Sequence, residues 1–417
     1  MESYDIVVVG AGPAGLLAAG QAADAGKRVL LLEKMEKPGR KLRITGKGRC
    51  NITNTRSWHE FSRRLHPYPR FFKPAFTAFS NTRTIDFFEK IGLKVVIERG
   101  NRVFPVSQRA HDAADALVNW AVKKGVIIRC GTTALRLHTT DNLVTAIEVK
   151  SDEKLEAISA RAVILATGGL SYPATGSTGD GYRMAKETGH TVTNLRQSLV
   201  ALNVADHSKK LAGLELKNVR LSLFIDDKLR AEEFGELMFT DTGVDGAIVL
   251  RVSRPAVDAL IQKRQVEIRL NLKPAISAEQ LYKRIHRELA TSGDASVAAL
   301  MRKLLPAGII EVFLAKVNIA GKSTVALLSE NDVARIIDAL HVWRMNINGF
   351  QGYERAVVTA GGVSLGEIDK KTMRSTKIMN LFFAGELIDL DGDTGGYNLQ
   401  IAFSTGMLAG KSAADAC

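Results

Sequence analysis

Cysteine is scarce in this chain: three residues, Cys50, Cys130 and Cys417, in a length of 417. Their spacing offers neither a disulfide framework nor a zinc site. No apolar run approaches the roughly 20 residues that a membrane-spanning helix needs. No basic region precedes the first apolar segment, so nothing reads as a secretory signal, and a cytoplasmic protein is expected. Internal repeats and low-complexity segments are absent too. What remains is ordinary globular composition, 46% hydrophobic and 24% charged, in a chain long enough for two or three domains.

The strongest local pattern is Tyr4 to Glu33. Ile6–Val9 is continuous, apolar and β-branched, as a parallel strand buried on both faces must be. It runs into Gly10-Ala11-Gly12-Pro13-Ala14-Gly15, which fits the G-x-G-x-x-G fingerprint of dinucleotide sites. Gly10 permits the tight turn, Gly12 lets the backbone approach a pyrophosphate, and Gly15 lets helix and strand pack closely. The helix Leu16–Ala25 directs the positive end of its dipole at the phosphates, and Gly26 ends it. A second buried strand, Arg28–Leu32, delivers Glu33, whose carboxylate can take both hydroxyls of an adenosine ribose. FAD and NAD carry the same ribose, so this pattern leaves both open. A second G-x-G-x-x-G flanked by strand and helix is missing, which argues against a separate NAD(P)H-binding Rossmann domain.

Net charge is +13. Part of it crowds one loop, Lys34 to Arg49, and part follows as Arg56, Arg63, Arg64, Arg70 and Lys73, interleaved with Trp58, Phe61, Tyr68, Phe71 and Phe72. Basic residues mixed with aromatics suit phosphate contacts and base stacking. A solvated basic face, partly neutralising a bound pyrophosphate, is the other reading.

Along the chain, Met35–Asn54 reads as a long loop broken by a short helix, and Gly46-Lys47-Gly48 offers backbone N–H groups for a close approach to flavin or phosphate. Cys50 stands beside Arg49, a cation that favours thiolate. It reads either as a proton donor or as a small residue where nothing larger fits. Asn51 and Asn54 cap turns or bond the cofactor. Helices are expected at Thr84–Ile91 and His111–Lys124, with strands at Lys94–Ile97, Val103–Phe104, Val126–Cys130, Ala134–His138, Val144–Val149 and Ala162–Ala166. The last of these runs into Thr167-Gly168-Gly169, a second close backbone approach to nucleotide. In the loop that follows, Tyr172 is a candidate active-site hydroxyl or part of a rigid Tyr-Pro turn, and Asp180 reads as the N-cap of the helix Tyr182–Gly189. From Thr191, alternating runs at Leu199–Val204, Val219–Ile225, Leu229–Phe234 and Val266–Leu270 suggest a small antiparallel barrel, with Glu236–Gly246 as a loop. Ser277–Ala339 reads as helical and basic. Strands return at Ala356–Val363 and Asn380–Phe383, and a final helix covers roughly Tyr397–Ala409.

Four stretches together resemble a known family: GRKLRITGKGRCNITN at 39–54, GLSYPATGSTGDGY at 169–182, TAGGV at 359–363 and FFAGELIDLDGDTGGYNLQIAFSTG at 382–406. They are similar to the BaiN/RdsA family of NAD(P)/FAD-dependent oxidoreductases, in order and from first strand to last helix. The resemblance implies an α/β fold of the glutathione-reductase type: an FAD-binding Rossmann-like domain at 1–190 and 364–417, a β-barrel-like insertion at 191–274 and 341–363, and a small helical domain at 275–340. It implies FAD contacts from Gly10, Gly12, Ala14 and Gly15, from Glu33 and Lys34, and from Arg40, Lys41, Gly46, Gly48, Arg49, Cys50 and Asn51. Ala134, Thr167, Gly168, Gly385, Glu386, Asn398 and Leu399 complete that set. Lys47 departs from relatives that carry a third glycine there.

The activity implied is transfer of hydride from reduced flavin to an electron-poor C=C, with NAD(P)H as a transient reductant and no metal. Cys50 and Tyr172 are the proton-donor candidates, and Thr359, Gly361 and Gly362 stand on the substrate side. Family activities include reduction of steroid-like acids, reduction of uridine in ribosomal RNA to dihydrouridine, and amine oxidation producing peroxide. Charge favours ribosomal RNA as partner, through 56–73 and the basic helical insertion. Small hydrophobic enones, and a flavin-containing RNA-binding factor without turnover, are the alternatives.

Overall fold

The computed structural model describes residues 2–152, 154–291 and 294–417. The chain divides into two compact units, Met1–Gln197 with Tyr353–Cys417, and Ser198–Gly352. The first is the expected Rossmann-like α/β domain. Strand β1 (Glu2–Val9) pairs in parallel with β2 (Val29–Leu32) and with the second half of the long strand Lys154–Leu165. Ile127–Arg129 adds to the free edge of β2, and Leu381–Phe383 to Val163–Leu165, all in parallel. The first half of the long strand instead pairs antiparallel with Leu143–Ser151, which pairs with Thr132–Thr140. Ile6, Val7 and Val8 and all of β2 are essentially without solvent contact, as expected for a strand covered on both faces.

Helix α1 (Pro13–Asp24) follows β1 and is wedged between neighbours by its small residues. A Cβ on Gly20 would lie 2.1 Å from the Trp120 ring of helix Ala110–Lys123. The last helix runs over Tyr397–Ala416, beyond the expected end at Ala409. Gly410 does not stop it because that glycine is a packing residue: its Cβ would fall 2.3 Å from the Ala18 carbonyl oxygen.

The expected domain boundaries at 190/191 and 363/364 fall inside this first unit. Val192 bridges Val363, Thr193 donates its N–H to the Gly362 carbonyl at 2.9 Å, and Ser364 donates to Thr191 at 2.9 Å, so both passages stay with the α/β domain.

The second unit contains the expected barrel, closed in the order Leu202–Val204, Gly243–Asp245, Lys228–Phe239, Glu215–Ile225, Val266–Asn271 and Trp343–Phe350. Alternate residues Leu221, Leu223 and Ile225 point inward with Ile268 and Leu270. The expected loop at 236–246 is corrected: Leu237, Phe239 and Val244 are buried barrel residues, and only a tight turn separates two paired strands. A helix at Ala247–Ile261 has no counterpart in the sequence reading, because Ile248, Val249, Val252 and an internal Pro255 argue locally against a helix. Burial of Ile248, Val252 and Ala256 in the barrel core outweighs that preference. The helices Ala278–Thr291, Val297–Arg302, Ala307–Lys316 and Glu330–His341 contribute Leu281, Leu300, Phe313 and Ile336 to the same core.

Candidate functional site

The site is built where β1, β2 and the strand Lys154–Leu165 end and two helices begin. The Gly10 N–H bonds the Leu32 carbonyl at 2.8 Å, which sets the turn at φ +101°. A Cβ on Gly15 would sit 1.8 Å from the Gly10 oxygen, and one on Gly10 2.6 Å from the Ala166 oxygen. Packing within the chain therefore demands both glycines. Gly12 is different: its φ of −76° suits any residue, and a Cβ there would meet nothing within 4 Å. The fold does not need glycine at this position, but a phosphate lying against the backbone does.

The two helices that begin here share a second feature. Neither α1 nor the last helix has a side-chain cap; glycines Gly12 and Gly396 stand at their N-cap positions. Ser57, Ser80, Ser296 and Ser329 cap helices elsewhere, while Gly39, Gly179 and Gly246 stand at other uncapped helix starts. Uncapped N–H groups and a positive dipole end make an anion site.

The same two helices lie side by side in parallel. A Cβ on Gly406 would be 2.2 Å from the Ala14 oxygen, and one on Gly410 2.3 Å from the Ala18 oxygen. The last helix starts at Tyr397, nine positions before Gly406, whereas α1 starts one position before Ala14, so the last helix overhangs the start of α1 by about 12 Å at 1.5 Å per residue. Two positive helix ends are thus offset along one axis, which fits a long molecule carrying phosphates at one point and an electron-accepting ring at another.

Glu33, at the end of β2, is half-buried and accepts N–H bonds from Ala11 at 3.0 Å and Met35 at 2.9 Å. Burial raises its pKa above the ordinary carboxylate range, and the two N–H bonds and neighbouring Lys34 and Arg40 pull the other way. Thr132 donates its N–H to the Glu33 carbonyl at 3.0 Å, which brings the strand carrying buried Ala134 alongside. Thr167 and Gly168 follow the long strand, next to the Gly10 turn, with Gly168 at φ +76°.

The cations expected around a cofactor are mostly held by acids. Lys34 pairs with Asp180 at 2.7 Å and also bonds the Thr178 hydroxyl, so Asp180 is an ion-pair partner and Gly179 occupies the expected N-cap position. Lys41 pairs with Glu386 at 2.7 Å. Arg49 pairs with Glu98, bonds Gln108 at 2.5 Å and lies over the Phe104 ring at 4.2 Å. Arg40 differs, bonding only the Ala174 carbonyl, at 3.3 Å, among the described residues.

A network missed in the sequence joins the loops. Glu386 accepts the Thr359 N–H at 2.9 Å, and the Thr359 hydroxyl takes the N–H groups of Leu170 and Ser171 at 2.8 and 3.1 Å. Ser171 closes it at 3.0 Å from the same hydroxyl. Thr359 is only 1% exposed, so it positions the 167–172 loop and meets a substrate only through it. Gly361 and Gly362 likewise make room for the Asn194 and Leu387 carbonyls, which Cβ atoms would approach to 2.3 and 2.6 Å. Tyr172 is half-buried in the left-handed region at φ +55°, with its N–H on the Tyr353 carbonyl at 2.9 Å. Ser171 and Tyr353 had no local signal, because their partners lie far off in sequence.

Gly46, Lys47 and Gly48 are exposed, each with positive φ, and a Cβ on Gly48 would meet nothing within 4 Å. Cys50 has no solvent contact, and burial pushes its thiol up to about 12. The expectation that Arg49 favours its thiolate is corrected, since that guanidinium is engaged by Glu98. Asn51 accepts the Gly396 N–H at 3.1 Å and donates to the Thr53 carbonyl at 2.9 Å, and Asn54 donates to the Gly395 carbonyl at 3.0 Å. Both asparagines fix the turn that starts the last helix. Asn398 bonds back to Gly392 at 2.8 and 2.7 Å, half-buried Leu399 packs on the core, and Gly385 donates to Thr405 at 2.9 Å.

The aromatic part of 56–73 also needs correction. Phe61, Phe71 and Phe72 are core residues, and of the rings named in that stretch Tyr68 stays well exposed, at 60%. No cluster of metal-ligating side chains occurs among the described residues, and no helix there is long and apolar enough to cross a membrane.

This architecture matches known proteins along nearly its whole length. Residues 4–412 match the model of the HI0933-like protein Rossmann domain. The chain is similar to the 3-dehydro-bile acid delta(4,6)-reductase of Clostridium scindens, 30% identical over 413 residues, 98% of this chain and 99% of that protein. It is also similar to the ribosomal RNA dihydrouridine synthase of Escherichia coli, 30% identical over 409 residues, with 97% and 96% covered. Among solved structures, the 3-ketosteroid delta1-dehydrogenase of Sterolibacterium denitrificans shares the fold, with a TM-score of 0.57 at 13% identity and 100% of both chains covered. The chain belongs to the HI0933-like family and is an FAD-dependent oxidoreductase.

Proposed function

We propose that this protein reduces an activated carbon–carbon double bond, and that its substrate is uridine in structured RNA. The observation that carries the cofactor half is the pair of parallel, uncapped helix ends offset by about 12 Å, with Gly12 at the start of one of them. Bound there, FAD supplies hydride from its reduced ring. Gly12 and the α1 N-terminus hold the pyrophosphate, Arg40 adds charge to it, and Glu33 takes the ribose hydroxyls. The N-terminus of the last helix lowers the energy of negative charge on the ring. Ion pairing of Lys41 with Glu386 fixes the loop that covers it.

For the proton that completes a C=C reduction, the Tyr172 hydroxyl is the better donor of the two candidates. It lies on the half-buried loop that Thr359 and Ser171 hold, whereas the Cys50 thiol is sealed from solvent. NAD(P)H serves as a reductant that visits and leaves, in keeping with the single dinucleotide fingerprint. The RNA reading is supported by the net charge of +13 and by the dihydrouridine synthase among the relatives.

A small enone is the second reading, supported by the equal similarity to a bile-acid reductase. Anaerobic reduction of the holoprotein, followed by unmodified ribosomal RNA or a steroid enone, separates the two. RNA should restore the visible absorbance of oxidised flavin and gain dihydrouridine. Reoxidation by the enone alone would transfer the function to small molecules.

A further inference from the structure

We propose that a groove on the α/β unit, lined by Trp58, Arg63, Tyr68, Arg70, Lys73 and Lys370, is the docking site for a single-stranded segment of RNA. The proposal rests on RNA being the substrate and names where it is held. The groove encloses about 690 Å³, and no carboxylate lines it. Arg70, Lys73 and Lys370 make no ion pair among the described residues, and Arg63 meets only the His59 ring, at 2.7 Å. Of the acids nearest in sequence, Glu60 is taken by Arg56 at 3.4 Å and by the Ser57 cap, and the Asp369 carboxylate accepts from the Lys371 N–H and the Thr372 hydroxyl, both at 2.9 Å.

Part of the basic surface elsewhere behaves differently. In the helical part of the second unit, Lys283 pairs with Glu279 at 2.6 Å, and Lys303 with Glu288. Two of its cations are thus answered by acids close by, whereas, among the described residues, none of the groove's is. Open cations along a groove, with aromatic faces between them, are what an unpaired strand requires: phosphates meet the cations and bases stack on the rings.

Both rings needed for that are present. Tyr68 projects at the start of the helix Pro69–Ala78, 60% exposed. Trp58 is braced from behind by Phe76 and Phe72, with ring centroids at 5.2 and 6.3 Å. The same cluster continues through Phe61 to Tyr397, at 4.7 Å, the first residue of the last helix. The floor of the groove and the helix end that faces the flavin are therefore two sides of one aromatic cluster. An unpaired rather than a duplex segment is specified because a base must leave its stack to lie on Tyr68.

The test uses FAD-loaded protein and a fluorescent single-stranded oligoribonucleotide of mixed sequence, followed by anisotropy across a salt series. Arg70→Ala with Lys73→Ala should weaken binding about tenfold and flatten the slope of log K against log salt by about 1.4. Tyr68→Ala should weaken binding about fivefold or more and leave the slope unchanged. Lys283→Ala with Arg287→Ala removes the same charge elsewhere and should change neither. Equal weakening by both charge pairs would overturn the groove, since net charge alone would then explain binding. Displacement of the oligonucleotide by free NADPH at lower concentration than by unlabelled RNA would also overturn it, in favour of a small-phosphate site. Retained flavin absorbance and an unchanged melting curve guard against misfolding. RNA held in the groove without any flavin reoxidation would sink the substrate reading and leave the site standing as a binding surface.

Discussion

Gly12 and Gly15 are both glycine in the same fingerprint, yet for different physical reasons. Gly15→Ala forces a Cβ to within 1.8 Å of a backbone oxygen, so the apoprotein should lose several kcal/mol of stability along with its flavin. Gly12→Ala meets open space at an ordinary φ, so the apoprotein melting temperature should hold or rise slightly while FAD affinity falls by about tenfold or more. Thermal melts of apoprotein and flavin titrations separate the two effects. Glu33 supplies the pH dependence. Its folded-state pKa is raised, so its ionised form costs the apoprotein stability: that contribution is whole below the ordinary carboxylate range and is lost as pH rises through the raised value. FAD, whose ribose donates to the ionised form, should bind evenly above the raised value and weaken by up to tenfold per pH unit below it. Flavin titration should show that slope vanish in Glu33→Gln. Cys50, sealed and held protonated, should resist thiol reagents at about pH 8 until the protein unfolds, as read by mass spectrometry of labelled peptides.

At the level of elements, the contact between α1 and the last helix is what aims both helix ends. Gly406→Val would thrust a branched side chain into the Ala14 backbone, which a Cβ alone already approaches to 2.2 Å. The helices must separate, and loss of both flavin and several degrees of melting temperature should follow together, because the Gly10 turn moves with α1. This arrangement explains what could be read in the sequence. The β1–α1–β2 passage carries its own evidence, since buried strands, turn glycines and the acid proposed for the ribose lie within thirty residues. The Glu386–Thr359–Ser171 network carries none, because its members meet only after the whole sheet has formed. The helix Ala247–Ile261 was hidden for another reason: its β-branched residues and proline are tolerated only because the barrel buries them. In 56–73 the composition was visible, but not the direction of each ring. Core packing claims Phe61, Phe71 and Phe72, and leaves Tyr68 with the cations.

For the molecule as a whole, a charge of +13 gains meaning only from its distribution. Lys34, Lys41 and Arg49 near the cofactor loop are answered by Asp180, Glu386 and Glu98, Lys283 and Lys303 of the barrel helices by Glu279 and Glu288, and the groove's cations by no acid among the described residues. On the proposed reading, the overall charge attracts RNA and the groove is where it is held. The central claim is that the flavin of this protein passes its electrons to a carbon–carbon double bond. Its most direct test is to reduce the holoprotein without oxygen, add unmodified ribosomal RNA in one sample and a steroid enone in another, and count saturated bonds against flavin reoxidised. The account predicts one saturated bond per flavin in the RNA sample, slowed strongly by Tyr172→Phe and little by Cys50→Ala. Flavin that stays reduced with both, and is reoxidised only by air with release of peroxide, would contradict it.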